Sequence, residues 1–343
     1  MLILGIESSC DECAAALVRD GRTIVSEVVA TQIAKHVPYK GVVPELASRL
    51  HVELISDVVH NCMLKGGLNG GDVDAVAVTS RPGLIGSLLV GVCFAKAYSY
   101  ALDKPLISVD HVLAHLYASQ MTQPLDYPYL GMLVSGGHTL IAIVRDFDNM
   151  EILGASIDDA AGEVYDKVAK FYDIGYPGGL LIDRMSKEGD DDSFAFPSPK
   201  LDSALYRKYD MSFSGLKSAV INQKAKFFKP GKTDSIANLC ASFQKAAIGI
   251  LFKKLKQAVS DTSIKRICVG GGVAANSLLR EKVMSLQSEG VQVSIPALRY
   301  CTDNAVMVAG IGGEYFKRGV FSDMSLCPVP RVDRFKGFVK GRI

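Results

Sequence analysis

Two histidines, His111 and His115, are spaced four residues apart in a stretch that predicts a helix. At this spacing both imidazoles lie on one helix face, about one turn apart. Such a pair can bind one transition metal, and it can equally be two hydrogen-bonded structural histidines. A metal site needs a third, anionic ligand, and Asp303, before a predicted late helix, is one candidate. Two histidines and one carboxylate suit Fe(II) or Zn(II) with coordination positions left open for substrate.

The residue that follows the first histidine bears on the reaction class. Metalloproteases with two helical histidines have the pattern H-E-x-x-H, in which the glutamate is the general base. Val112 occupies that position here, so the pattern argues against peptidase chemistry.

Two glycine-rich turns are candidate anion sites. Residues 135–139 read Ser-Gly-Gly-His-Thr, and the two glycines allow a phosphate or carboxylate close to the backbone, although an ordinary tight turn has the same composition. Residues 270–276, Gly-Gly-Gly-Val-Ala-Ala-Asn, lie between a predicted strand and a helix expected to begin near Val273. A dinucleotide site would require an acidic residue after the next strand, where the chain has Pro296. We therefore predict a mononucleotide site.

Two further carboxylates occupy a turn near the N-terminus. Asp11 and Glu12 lie between Cys10 and Cys13, and the cysteine pair has no second pair at zinc-site spacing. The carboxylates are candidates for proton transfer, and a solvated turn is the alternative.

An internal repeat indicates the architecture. Residues 4–20 and 130–146 match at seven of 17 positions without a gap, and each reads as strand, small polar turn and strand. Elsewhere strands alternate with helices: strands at 75–79, 106–109, 266–269 and 291–295, and helices at 84–102, 111–120, 273–287 and 304–316. This alternation predicts an α/β protein. Strand signals fade between about 183 and 256, which suggests an inserted helical subdomain.

Composition excludes several classes of protein. The 343 residues are 48% hydrophobic and 22% charged, as in ordinary soluble proteins, and the longest fully apolar stretch, 88–95, is far shorter than a membrane helix. No basic segment precedes the first apolar run, so we expect a cytoplasmic protein without membrane association. Residues 200–256 carry twelve Lys or Arg and three Asp, a net charge of +9, which is a possible footprint for a polyanion.

The chain resembles the TsaD (Gcp/YgjD) family of tRNA N6-adenosine threonylcarbamoyltransferases, in its bacterial form. The resemblance covers nearly the whole length and rests on many motifs in the same order. These are residues 5–12, 41–49, 82–84, His111 with His115, 133–139, 158–163, 176–179, 212–217, 270–276 and 302–305.

The resemblance implies an actin/Hsp70/sugar-kinase-like (ASKHA) fold, with two RNase-H-like lobes around a nucleotide cleft. We place the N-terminal lobe at 1–127 and the C-terminal lobe at 128–343, with the helical insertion at about 183–256. The last helix, after Asp303, is expected to be able to pack back on the N-terminal lobe.

The resemblance also implies a reaction. The threonylcarbamoyl group would pass from threonylcarbamoyl-AMP to N6 of adenosine 37 in tRNAs that read ANN codons, with a TsaB-like paralogue and a TsaE-like ATPase as partners. One divalent ion, usually assigned as iron although zinc is seen, would be bound by His111, His115 and Asp303. For this reaction our own hypothesis is that Asp11 or Glu12 accepts the N6 proton or holds a metal-bound water. The implied substrate contacts are Leu133, Val134, Ser135, Gly136, Gly137, Asp166, Gly179, Asp183 and Asn276.

Three other functions remain open at this stage. A small-molecule kinase or ATPase of the ASKHA fold would share the nucleotide site without the histidine pair. A metal-dependent glycoprotease would need the base that is missing at Val112. A non-catalytic scaffold would bind nucleotide and partners only.

Overall fold

The computed structural model of the chain describes residues 1–222, 233–332 and 335. The chain forms two compact units. The first unit comprises Met1–Pro124 and Pro296–Asp333, and the second comprises Leu125–Ile295 and Arg334–Ile343. Part of the basic stretch 200–256, namely residues 223–232, lies outside the described residues.

Strands and helices alternate through most of the chain, as expected. The strands are β1 (Leu2–Glu7), β2 (Glu12–Arg19), β3 (Thr23–Thr31), β4 (Ala75–Arg81), β5 (Leu106–Asp110), β6 (Tyr129–Val134), β7 (Thr139–Asp146), β8 (Asn149–Ala155), β9 (Arg266–Gly270) and β10 (Gln292–Ser294). The helices are α1 (Ile33–His36), α2 (Pro44–Gly66), α3 (Ile85–Leu102), α4 (His111–Tyr117), α5 (Ala161–Phe171), α6 (Gly178–Ser186), α7 (Ser214–Asn222), α8 (Thr233–Thr262), α9 (Ser277–Ser285) and α10 (Ala305–Lys317).

In the described part of each unit there is one five-stranded sheet, and the two sheets have the same topology. The orders are β3-β2-β1-β4-β5 and β8-β7-β6-β9-β10, with the first three strands antiparallel and the last two parallel to the central one. The two hairpins predicted from the repeat are confirmed, and their register is the same. Leu4 pairs with Leu17 in one, and the equivalent Leu130 pairs with Ile143 in the other.

Strand β1 is buried on both faces, because helices cover each side of the first sheet. Leu2, Leu4 and Ile6 pack into a core with residues of α2. The alternate residue Gly5 faces α10, where a Cβ atom would lie 2.5 Å from the Ala305 carbonyl oxygen. Successive strand side chains point to opposite faces, so the close approach of α10 to β1 depends on the absence of a side chain at Gly5.

One predicted helix boundary is wrong. The helix expected from about Val273 begins at Ser277, because Gly272–Ala275 form a short 3-10 turn first. The side-chain oxygen of Asn276 accepts a hydrogen bond from the Leu279 amide at 3.0 Å, so Asn276 is the N-cap of α9.

Two of the described helices are long and apolar enough to cross a membrane by length and composition, although the longest fully apolar stretch of the sequence predicts no such helix. They are Ile85–Leu102 and Ser235–Thr262. Both have partners within their own unit, because α3 packs against α2 and β4, and α8 packs against α6. Core helices of globular units pass the same test of length and hydropathy.

Candidate metal centre and anion site

The metal ligands predicted from sequence come together in the first unit. His111 and His115 lie on α4, which begins directly where β5 ends and is capped by the buried carboxylate of Asp110. Asp303 directly precedes Asn304, the N-cap of α10. Its Oδ1 lies 3.5 Å from Nε2 of His111 and 3.1 Å from Nε2 of His115.

A fourth residue, Glu7, orients the first histidine, and the sequence reading missed this role. Glu7 ends β1 with no exposed surface, and its Oε2 lies 3.1 Å from Nδ1 of His111. The same carboxylate accepts hydrogen bonds from the Ser9 amide and the Thr79 hydroxyl, both at 2.6 Å. A carboxylate behind a histidine sets which ring nitrogen carries the proton, so Nε2 of His111 is directed at Asp303.

These buried groups shift one another's acidity. Burial disfavours charge on both Glu7 and His111, but their mutual attraction outweighs it, so the pKa of Glu7 is lowered and the pKa of His111 is raised to about 9. For His115, burial and the neighbouring His111 charge lower the pKa. Two carboxylates, Glu7 and Asp303, thus lie beside the histidine pair and favour a positive charge there.

The donor set fits a divalent transition metal. One ligand atom from each of His111, His115 and Asp303 lies within 4.8 Å of the others. Ligand atoms on one ion with bonds of about 2.1 Å lie roughly 3 to 3.5 Å apart, close to the separations from Asp303 given above. Two imidazoles and a carboxylate are the ligands preferred by Fe(II) and Zn(II), so the residues present suit either ion.

The turn that carries Asp11 and Glu12 is held by backbone contacts in the same unit. The Ser9 carbonyl accepts from the Leu84 amide at 2.8 Å, and the Asp11 carbonyl accepts from the Gln32 amide at 3.0 Å. Between them, the Cys10 carbonyl lies 2.9 Å from Nε2 of the buried His51. The turn is therefore preorganised, and the two carboxylates extend from a fixed backbone.

Both carboxylates of this turn resist ionisation. Burial raises the pKa of Asp11 and of Glu12, and the added charge of Asp11 raises the pKa of Glu12 to about 8. Oε1 of Glu12 accepts from the Thr31 hydroxyl at 3.1 Å, whereas Oε2 is buried with no hydrogen-bond partner among the described residues. A carboxyl group with a pKa near neutrality is suited to gaining and losing a proton.

The raised pKa of Glu12 predicts how Glu12→Gln alters the pH dependence of stability. An unfolded glutamate ionises near its usual pKa of 4.5, but the folded one retains its proton up to about pH 8. The free energy of unfolding of the parent therefore falls as the pH rises from 4.5 to about 8. Glutamine does not ionise, so the variant does not lose this free energy. We expect the difference in Tm between Glu12→Gln and the parent to shift in favour of the variant from pH 5 to pH 7.5, measured by thermal unfolding. A difference that stays constant over this range would contradict the assignment, and Glu53→Gln, an exposed change on α2, is the control.

A second group of predicted residues surrounds the hairpin tip of the second unit. The Ser135 carbonyl accepts from the Gly162 amide at 3.2 Å, and a Cβ at Gly271 would lie 2.5 Å from the Val134 carbonyl oxygen. The tip therefore lies against the start of α5 and the turn after β9. Leu133 and Val134 have no exposed surface, so this structure does not present either of these predicted contact residues to a ligand.

Gly136 and Gly137 of this tip, and Gly179 in the first turn of α6, have no internal reason to lack a side chain. Built Cβ atoms at Gly136, Gly137 and Gly179 meet nothing within 4 Å. Gly136 and Gly137 are exposed, and Ser135 is partly exposed with its Oγ accepting from the His138 amide at 3.0 Å. Open space over exposed backbone amides suits the close approach of an anion.

A buried hydrogen-bond network joins the remaining predicted residues, with Gln244 at its centre. Gln244 on α8 is 3% exposed; its Nε2 donates to Oδ1 of Asp183 at 3.2 Å, and its Oε1 accepts from Nδ2 of Asn276 at 2.7 Å. Asp183 also accepts from the amide and hydroxyl of Ser277. Oδ1 of Asp166 accepts a hydrogen bond at 2.8 Å from the amide of Gly178, which begins α6, the helix that carries Asp183. Sequence reasoning missed Gln244 because it lies within a long helix and in no recognised motif.

Solved structures with the same fold come from proteins of low sequence identity. Component A of (R)-2-hydroxyglutaryl-CoA dehydratase from Acidaminococcus fermentans is 14% identical, with a TM-score of 0.54 over 92% of this chain and 98% of that one. HypF from T. kodakarensis is 15% identical, with a TM-score of 0.61 over 95% of this chain and 49% of that one. At these identities the likeness shows the fold alone, and it confirms the expected ASKHA-like class.

Sequence relatives are far more similar. The chain is 51% identical to the tRNA N6-adenosine threonylcarbamoyltransferase of Treponema denticola, over 99% of both chains. It is 46% identical to the enzyme of that name from Borrelia hermsii, again over 99% of both. The sequence model of the TsaD family, described as tRNA N6-adenosine threonylcarbamoyltransferase, matches residues 23–310. The chain therefore belongs to the tRNA N6-adenosine threonylcarbamoyltransferase family, a family of tRNA-modifying acyltransferases.

Proposed function

We propose that the chain transfers a threonylcarbamoyl group from threonylcarbamoyl-AMP to N6 of adenosine 37 in tRNAs that read ANN codons. The observation that carries the proposal is the convergence of His111, His115 and Asp303 on one point, with Glu7 behind the first histidine. Membership of the family supports the same reaction.

The proposed reaction combines a good leaving group, AMP, with a poor nucleophile, N6 of adenine. The donor is a mixed carbamoyl–phosphate anhydride, so AMP leaves readily with the bonding electron pair. The exocyclic N6 of adenine is weakly nucleophilic because its lone pair is delocalised into the ring. As the bond from N6 to the carbamoyl carbon forms and the bond to phosphate oxygen breaks, N6 must lose a proton. The protein must therefore position N6 and provide a proton acceptor.

We assign proton transfer to the turn of Asp11 and Glu12. Its backbone is fixed by contacts from three other segments, and its carboxyl pKa values are raised by burial. A carboxylate that gains a proton readily suits acceptance of the N6 hydrogen.

We assign the phosphate of the donor to the backbone of Ser135, Gly136 and Gly137, and the rest of the adenylate to Leu133, Val134, Asp166, Gly179, Asp183 and Asn276. The open space at the three glycines and the buried polar network support this assignment. His111, His115 and Asp303 would hold one divalent ion, for which we propose Fe2+ with Zn2+ as the alternative. When bound, the ion supplies Lewis-acid polarisation and a clamp for substrate oxygens.

The partners proposed from the family are a TsaB-like paralogue and a TsaE-like ATPase, and the proposed location is the cytoplasm. The test is mass spectrometry of tRNA nucleosides after incubation with threonine, bicarbonate, ATP and the partner proteins, with and without this chain. Modified adenosine that appears only with the chain supports the proposal. ATP turnover by the chain without tRNA or partners, and no modified adenosine, would instead favour a kinase or ATPase.

The buried network yields a prediction for Gln244→Met. Methionine preserves the volume but leaves Asn276 Nδ2 without its acceptor and removes a donor from Asp183. We expect a roughly tenfold higher KM for the adenylate donor and a loss of about 1–3 kcal/mol in the free energy of unfolding. Steady-state kinetics and urea unfolding measure the two effects. The exposed Gln287→Met is the matched control, and a KM unchanged in Gln244→Met would show that the network does not shape the site.

A further inference from the structure

A concave pocket of about 500 Å³ lies within the second unit, apart from the glycine-rich tip. One wall is the segment 198–212, and the other is a single face of α8 formed by Ile250, Lys253, Lys254 and Gln257. Their spacing of three, four and seven residues places these side chains on one helix face. The volume is in the range of ligand-binding pockets, which is about 300–1,000 Å³.

The pocket has an excess of positive charge. Arg207 is neutralised by the fully buried Asp210 at 3.0 Å, and Lys208 is paired with Asp261 at 2.8 Å. The other lysines of the lining have no carboxylate within ion-pair distance among the described residues; they are Lys200, Lys253 and Lys254. Asp202 also lines the pocket, so these three lysines and Asp202 leave a net charge of +2, which favours the entry of an anion.

Among these lysines, Lys254 is the one whose surroundings most favour a bound anion. The residue is partly buried, and its ammonium group donates to the Lys208 carbonyl at 2.6 Å, a neutral acceptor for one of its three hydrogens. Burial lowers the pKa of Lys254, so its charge is maintained at a cost in the free protein. An anion in the pocket would offset that cost.

The loop wall is rigidly attached to the sheet. Asp210 accepts from the Ala155 amide at 2.9 Å and from the Arg207 amide at 2.9 Å. Met211 forms a bridge beside the end of β8, where its carbonyl accepts from the Ile157 amide at 2.9 Å. The pocket is therefore formed before any ligand binds, which reduces the entropic cost of binding.

We propose that this pocket binds the phosphodiester backbone of the tRNA substrate. Lys200 and Lys253 are exposed at its rim, Lys254 lies deeper, and the ring of Tyr206 lines the same cavity. Lysines that follow a backbone together with an aromatic face are the usual elements of single-strand and loop recognition in RNA. The inference rests on tRNA being the substrate, as in the proposed function.

The test compares Lys253→Ala/Lys254→Ala with the parent in the reconstituted modification reaction. Because each lost phosphate contact lowers the dependence of log affinity on log salt by about 0.7–0.9, we expect the slope for KM(tRNA) to fall by about 1.4–1.8. We expect KM for tRNA to rise roughly tenfold at 0.15 M salt, with kcat at saturating tRNA unchanged. Lys256→Ala is the matched control, since Lys256 lies on the same helix but outside the pocket lining and pairs with Glu289 at 2.6 Å.

A single variant at Lys253 and a competition experiment complete the test. Lys253→Glu changes an exposed residue, so it tests the pocket even if the double variant is unstable, and thermal unfolding reports on stability. An unchanged KM and salt slope in Lys253→Glu would overturn the proposal. Competition with inorganic phosphate or AMP separates the sources of the anion: binding of these in the pocket, with tRNA unaffected by the variants, would also overturn it.

Failure of the proposed function would be recognised separately. If the parent chain forms no modified adenosine, direct binding of a tRNA transcript to the full chain, followed by fluorescence anisotropy, still compares Lys253→Glu with Lys256→Ala. Equal binding by these two variants and the parent would overturn the pocket assignment.

Discussion

His115→Ala is expected to remove the bound metal and to reduce tRNA modification by at least about a hundredfold. Residues that hydrogen-bond to metal ligands contribute about 10- to 100-fold to metal affinity or activity, and the loss of a direct ligand should have a larger effect. His115 is buried and its Nε2 lies 3.1 Å from Oδ1 of Asp303, so alanine removes one of the three candidate donor atoms. Metal content by mass spectrometry and modified nucleosides by chromatography measure the two effects on the same protein.

His111→Ala should have the same effect on metal and activity, with an additional loss of stability because Glu7 loses its partner. The exposed His60→Ala on α2 is the matched control and should retain both metal and activity. Full modification by a metal-free His115→Ala protein would exclude a role for the metal, and it would also remove the main support for the proposed function.

Glu7 is expected to be the residue outside the ligand set with the largest effect. Its carboxylate has three partners, Ser9, Thr79 and His111, and no exposed surface. Breaking a buried ion pair by removing one partner typically costs about 3–5 kcal/mol, so Glu7→Ala should unfold at much lower urea concentration than the parent. Metal affinity should fall roughly 10- to 100-fold, because His111 loses the group that orients its ring.

Glu7→Gln separates orientation from simple packing. Glutamine preserves the shape, but its amide brings a hydrogen-bond donor to a carboxylate position that accepts bonds through both oxygens. We expect an intermediate loss of metal affinity, measured by competition with a chelator. Glu45→Gln is the control, because Glu45 forms an exposed pair with Arg49 on α2, and exposed pairs contribute little. A metal affinity in Glu7→Gln equal to that of Glu45→Gln would show that Glu7 has a structural role only.

Much of the fold could be predicted because its determinants are local. The alternation of strand and helix segments predicted the α/β class, and helical spacing placed His111 and His115 on one face of α4. The repeat of 126 residues predicted two hairpins, and their identical register shows that the match reflects a shared strand pairing. The start of α9 was misjudged because a 3-10 turn and a helix share composition, and only the backbone distinguishes them.

Residue types, helical periodicity and motif order were thus sufficient for the fold class, the histidine pair and the family, because each depends on neighbours within a few residues. The sequence offered Asp303 as a candidate third ligand and the resemblance implied it, but only the tertiary structure shows it beside His115, 188 residues away. Tertiary structure alone placed Glu7 behind His111, 104 residues away. It did so because α10 packs directly over Gly5 on β1, an approach that depends on the whole sheet. Gln244 was missed for the same reason. Its amide nitrogen and oxygen have hydrogen-bond partners only because α8 lies beside Asp183 and Asn276.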